Sequence, residues 1–283
     1  VTSPRVLVVE NDPSDPPARL GEWLADAGLE LDVRAGADLP ATLDGYAGLV
    51  VLGGAMGAHD DERAPWLPHE RALLRDAVAT QLPTLAICLG AQLLAVANGG
   101  RVEPNAAGPE IGAQLVAKRA AAATDPLFGA LPITPDVHQW HFDAITVLPP
   151  GAVQLASSPG SEQQAFRLGR LAWAVQFHIE TTPDMLRTWA DEDAAELQDY
   201  DLEPTLRRAD EVDADFVAAW RPFTEAFAEI VRNPDAVAPP RGVPTASAAP
   251  ITDPAAIRAA LAAEAHTARA TLPTPTLRRP PDD

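Results

Sequence analysis

The sequence contains one cysteine, and its neighbours are those of a reacting thiol. In Thr84-Leu-Ala-Ile-Cys88-Leu-Gly-Ala-Gln92-Leu-Leu94 an apolar strand-like run stops at Cys88 and a helix-forming run begins at once. Small residues two before and two after it, Ala86 and Gly90, allow the tight strand–turn–helix geometry that lifts a nucleophile above a sheet. The N–H groups at the start of the helix then lie beside the sulfur and favour thiolate. A lone cysteine more often packs as a small hydrophobe, so a chemical role needs partners. Ala172-Trp-Ala-Val-Gln-Phe-His178-Ile-Glu180 supplies them. In an extended chain, residues two apart point the same way. His178 and Glu180 therefore pair as a base and the group that orients its ring. In Leu49-Val-Val-Leu-Gly53-Gly54-Ala-Met-Gly57, glycines directly follow an apolar strand and turn backbone N–H groups toward its carboxyl end. With the N–H of Leu89, such donors suit an oxyanion. Alone, the glycine pair is a turn, and with no Gly-Lys-Ser/Thr after it, it is not a phosphate loop.

These segments need elements to position them. Arg5–Glu10 reads as a strand ending in the Asn11-Asp12-Pro13 turn, and 17–28 as a helix closed by Gly28. Further strands are expected over 29–33, 47–52 and 84–88, with helices over 66–81 and 90–98. Apolar strands without polar alternation, separated by helices, imply a parallel sheet covered on both faces. Short strands near 112–118, 152–157, 163–168 and 171–177 suggest an antiparallel addition. Helical periodicity returns over 183–196 and 203–232. From Pro234 the composition turns to Pro, Ala, Thr and Arg, which reads as a linker and tail with a helix-prone stretch at 254–269.

Forty acidic against twenty-one basic residues give a net charge of −19, which disfavours nucleic-acid and membrane-surface partners. No apolar run nears the ~18 residues of a membrane span. The four-residue apolar run at the start is too short for a signal-peptide core, and one thiol with no disulfide fits a reducing compartment, so a cytoplasmic protein is expected.

Taken together, VVLGGAMG, AICLGAQLLA, the EIG of Glu110–Gly112, the WHFD of Trp140–Asp143 and AVQFHIE resemble the class I (triad) glutamine amidotransferases. The pattern is most similar to the glutaminase domain of GMP synthase and its free-standing relatives, over roughly residues 5–190. The resemblance implies an α/β, flavodoxin-like three-layer sandwich with a mostly parallel central sheet, followed by a helical C-terminal extension. Expected boundaries are 1–195 for this domain, 196–233 for the extension and 234–283 for the tail. It makes Cys88 the nucleophile, His178 the base and Glu180 its partner, with Gly54 and Leu89 as oxyanion-hole amides. Gln92 matches a glutamine-contacting position. His141 and Asp143 lie in the segment that lines the α-amino and α-carboxylate side of the substrate, where a capped turn is the alternative. Ala86, Ala91 and Ile179 depart from the usual Gly, His and Pro, and none removes a group the chemistry needs.

The implied reaction is hydrolysis of the glutamine side-chain amide, with no cofactor and no metal. The sequence has no Ser-Gly-Gly-x-Asp-Ser loop and no Walker motif, so acceptor chemistry would belong to a separate synthetase. Two alternatives share the fold: a stand-alone hydrolase of another γ-glutamyl compound, and a non-catalytic binding protein.

Overall fold

A computed structural model describes residues 3–238 of the 283. The central sheet has eight strands. Its parallel part comprises β1 (Arg5–Glu10), β2 (Glu30–Ala35), β3 (Gly48–Val51), β4 (Thr84–Ile87) and β12 (Ala172–Val175), in the order β2-β1-β3-β4-β12. Beyond β12 the sheet continues antiparallel through β11 (Ala165–Leu168), β10 (Val153–Ser157) and β7 (Ala117–Lys118). The mostly parallel sheet and its antiparallel addition match the expectation from the strand patterns.

Apolar residues in unbroken runs are what a doubly covered sheet requires, because successive side chains point to opposite faces. Val6, Val8, Val50, Leu52, Leu85 and Ile87 pack with α1 (Ala18–Asp26) and with Phe216, Trp220, Phe223 and Phe227 of α5 (Glu203–Arg232). Their neighbours Leu7, Val9, Leu49, Val51 and Ala86 pack on the other face, against α2 (Leu67–Thr80) and α3 (Leu89–Ala97). The result is the three-layer sandwich, with the long helix α5 as its helical C-terminal part.

Two small sheets pair β5 (Arg101–Pro104) with β9 (Asp143–Val147) and β6 (Glu110–Leu115) with β8 (Asp136–His141). Of these four strands, only β6 falls within a stretch expected to be extended. β5 carries Arg, Glu and Pro, and β8 reads Asp-Val-His-Gln-Trp-His, so neither offers an apolar run. β8 is nonetheless buried over Val137–His141. The helix expected over 183–196 appears as α4 (Pro183–Glu192) and stops four residues early. Three acidic residues, Asp191 to Asp193, crowd its carbonyl end, where negative charge opposes the helix dipole. The helix expected at 254–269 lies outside the described residues. Among those that are described, no helix is long and apolar enough to cross a membrane.

Candidate active site

Topology brings the three chemical segments to one edge. β3, β4 and β12 are adjacent and parallel, with Val51 level with Ala86 and Val175 level with Ile87. Gly53-Gly54, Cys88 and His178 therefore leave neighbouring strands at the same carboxyl end, where open α/β sheets place their ligands. Cys88 itself has φ 48° and ψ −108°, a left-handed backbone that non-glycine residues seldom adopt. Its N–H is held by the Val175 carbonyl at 2.9 Å, so the turn is tied to β12. Gly90 makes the turn feasible: a Cβ there would fall 2.4 Å from the Val51 carbonyl oxygen.

His178 is buried and its Nδ1 hydrogen-bonds to Glu180 Oε1. The second Glu180 oxygen accepts from the Ile179 N–H at 2.8 Å, fixing the carboxylate. With Nδ1 engaged, Nε2 is the nitrogen left for Cys88. Burial alone disfavours the imidazolium, but the charges of Glu180 and Cys88 outweigh it and raise the His178 pKa well above 6.5. Burial likewise opposes ionisation of Glu180, and the His178 charge and hydrogen bond overcome it. Cys88 Sγ lies 3.8 Å from the Trp140 carbonyl and 3.8 Å from Gln176 Nε2.

A cavity of about 450 Å³ opens onto Cys88 and His178, with Gly54 and Leu89 in its wall. Gln92 also lines it, donating to the Asp143 carbonyl at 3.3 Å and to Gln176 Oε1 at 3.4 Å. His141 reaches the wall, but its nitrogens face protein. Nδ1 bonds the Asp143 carbonyl at 2.8 Å, and Nε2 lies 3.3 Å from Glu110. This is the geometry of the capped turn. Asp143 is partly buried at the cavity wall, its carboxylate turned toward Gly57.

Three functional neighbours escaped the sequence reading. Trp189 of α4 stacks its ring 4.8 Å from that of His178 and donates to the Ser14 carbonyl. Gln176 is a buried polar residue two before His178, and the alternation that paired His178 with Glu180 extends back to it. Asp15 is buried beside His178, its Oδ2 4.0 Å from Nδ1. Among the described residues Asp15, His178 and Glu180 form a three-donor cluster. The direct His178–Glu180 hydrogen bond leaves no room for an ion between those two, so the cluster suits proton sharing better than a metal.

The cavity mouth is acidic. Asp12, Asp143, Glu192, Asp193 and Glu196 line it against a single cation, Arg63. Asp193 is fixed there by the indole N–H of Trp140 at 2.8 Å.

Residues 22–188 match the family model for glutamine amidotransferase class-I. The chain belongs to the class-I glutamine amidotransferase family. It is 30% identical over 202 residues to the glutamine amidotransferase-like protein YfeJ of Salmonella typhimurium, covering 68% of this chain and 82% of that protein. To the glutamine-hydrolysing GMP synthase of Thermomicrobium roseum it is 37% identical over 133 residues, covering 47% of this chain. The match spans only 23% of that synthase. A solved glutamine amidotransferase from Thermotoga maritima superposes with a TM-score of 0.71 at 28% identity, over 80% of this chain and 98% of the other.

Proposed function

We propose that this class-I amidotransferase hydrolyses the side-chain amide of glutamine through Cys88, His178 and Glu180. The observation that carries the reading is the conjunction at one cavity: a thiol on a strained elbow and an imidazole whose far nitrogen is bound by a buried carboxylate. Cys88 Sγ attacks the δ-carbonyl carbon, and the oxygen takes up charge facing the amides of Gly54 and Leu89. His178 protonates the nitrogen as the C–N bond breaks, releasing ammonia and leaving a glutamyl thioester. Water, giving its proton to His178, then attacks the thioester and frees glutamate and the thiol. Glu180 holds the imidazole in the tautomer that both steps need. Gln92 and Asp143 stand where the amino-acid end of the substrate would lie.

The sequence contains no nucleotide-binding loop, and the match covers only a small part of a GMP synthase. Both support an enzyme that delivers ammonia to acceptor chemistry on a separate synthetase. A thiol nucleophile with no second cysteine to oxidise it suits a reducing, cytoplasmic setting.

The acidic mouth favours a second reading, in which the substrate is a γ-glutamyl amide whose amine carries a further positive charge. One experiment addresses both: hydrolysis of glutamine and of a γ-glutamyl diamine by the wild type and by Cys88→Ala. The wild type is expected to hydrolyse at least one of them, and the variant to lose about 10³-fold or more with its fold intact. Undiminished hydrolysis by Cys88→Ala would sink the assignment, and preference for the diamine conjugate would select the second reading.

A further inference from the structure

Asp15 has no assigned part in this chemistry, yet its placement is tightly specified. It sits in the loop between β1 and α1, with its N–H bonded to the Asp12 carbonyl at 3.0 Å. The Ser14 carbonyl beside it is held by the Trp189 indole at 2.9 Å. Its side chain fills space that exists only because residue 53 is glycine: a Cβ there would fall 2.2 Å from Asp15 Oδ2 and 3.0 Å from His178 Cε1. Neither carboxyl oxygen accepts a hydrogen bond. Ligand atoms of Asp15, His178 and Glu180 all lie within 4.8 Å of one another.

An ionised carboxylate sealed from water without a donor is strongly disfavoured, and a second carboxylate alongside disfavours it further. Glu180 is already committed to His178 and the Ile179 N–H, so the proton shared by the two carboxyls belongs on Asp15. Burial first, and Glu180 next, push the Asp15 carboxyl well above the usual range. A neutral acid has one proton to donate, and the acceptor within reach is Glu180.

Resting on the triad reading, we propose that Asp15 is a positioning residue, a carboxylic acid that donates its O–H to Glu180. The bond fixes the carboxylate that orients His178 and spreads its negative charge. It thereby limits how strongly Glu180 favours the imidazolium. The other charged or titratable groups facing this cluster are Cys88 on the elbow, Asp12 in the same loop and His138 on β8. The Arg19–Asp213 pair joining α1 to α5 completes the set.

The sign of the effect separates this role from its rivals. Loss of the donor leaves Glu180 with its full charge and raises the pH at which His178 gives up its proton. Loss of an ionised Asp15 would lower that pH instead. The readout is the pH profile of Cys88 alkylation by iodoacetate, an anion whose attack is helped by the imidazolium. It needs no knowledge of the substrate, and this thiol is the only one in the chain. In Asp15→Leu the alkaline limb should move up by about one pH unit, the usual scale of such a perturbation. Asp15→Asn, whose amide can also donate to Glu180, should restore the wild-type limb. A lowered limb in Asp15→Asn would overturn the inference, as would an unmoved limb in a folded Asp15→Leu. If His178→Gln leaves the wild-type profile unchanged, the triad reading itself falls and takes the inference with it.

Discussion

Cys88 and Glu70 show two ways in which single residues carry a cost in this fold. At Cys88 the cost is conformational: a left-handed backbone at a non-glycine residue stores roughly 1–3 kcal/mol, held in place by the Val175 hydrogen bond and the start of α3. Such strain is characteristic of positions where a side chain must point out of a packed sheet. At Glu70, on the first turn of α2, the cost is electrostatic. Its carboxyl is buried, Oε1 accepts only from Asn11 at 3.1 Å, and Oε2 has no partner. Burial, partly offset by that Asn11 bond, raises its pKa to about 7. A carboxyl with a folded pKa above its unfolded one binds more protons when folded. Its contribution is therefore intact below pH 4.5, falls as pH rises, and is lost above pH 7, by about 3 kcal/mol in all. Glu70→Gln keeps the Asn11 bond and removes the titration. Urea unfolding should show the variant gaining stability of that order over wild type at pH 8 and almost none at pH 4.5, whereas an equal gain at both would contradict the assignment. Of the residues at the site, Cys88, His178 and Glu180 were legible because each ends an apolar run at a diagnostic spacing. Asp15 was not, since Asn-Asp-Pro-Ser-Asp-Pro reads as an ordinary polar turn until the fold seals it against His178.

At the scale of elements, the site depends on how closely α3 approaches β3. The Gly90 contact with the Val51 backbone allows the helix to start immediately over the strand edge, which sets the height of the sulfur. Gly90→Ala must push α3 outward or distort the turn. It should destabilise the fold by about 1–3 kcal/mol in denaturant titration and slow Cys88 alkylation in the fraction that folds. Wild-type stability and reactivity in that variant would show that the close approach is dispensable. Elements with strong periodicity were readable from sequence: α5 has the expected bounds, and the parallel strands follow the apolar runs. The strands of the small sheets were not, because β8 is buried through His138, Gln139 and His141 rather than through an apolar alternation. His138 is a case in point. It stacks on Phe216 at 4.3 Å and bonds Thr181, so α5 and the loop after β12 make its burial acceptable. Nothing local to β8 announces that.

Over the whole molecule, the family match ends at residue 188, yet the wall of the cavity continues past it. Trp189 packs on the His178 ring, and Glu192, Asp193 and Glu196 add to the acidic mouth. The reacting groups thus come from the matched region, and part of the entrance comes from the segment that leads into α5. Substrate choice would be read by that entrance, while bond breaking belongs to the edge shared by β3, β4 and β12. The most direct test of the central claim is covalent trapping: incubate the protein with a thiol-reactive glutamine analogue and locate the adduct by peptide mass mapping. The expected result is one adduct per chain, on Cys88, formed rapidly by the wild type and much more slowly by His178→Gln. No adduct at Cys88, or one whose rate ignores His178, would contradict a nucleophile activated by this triad.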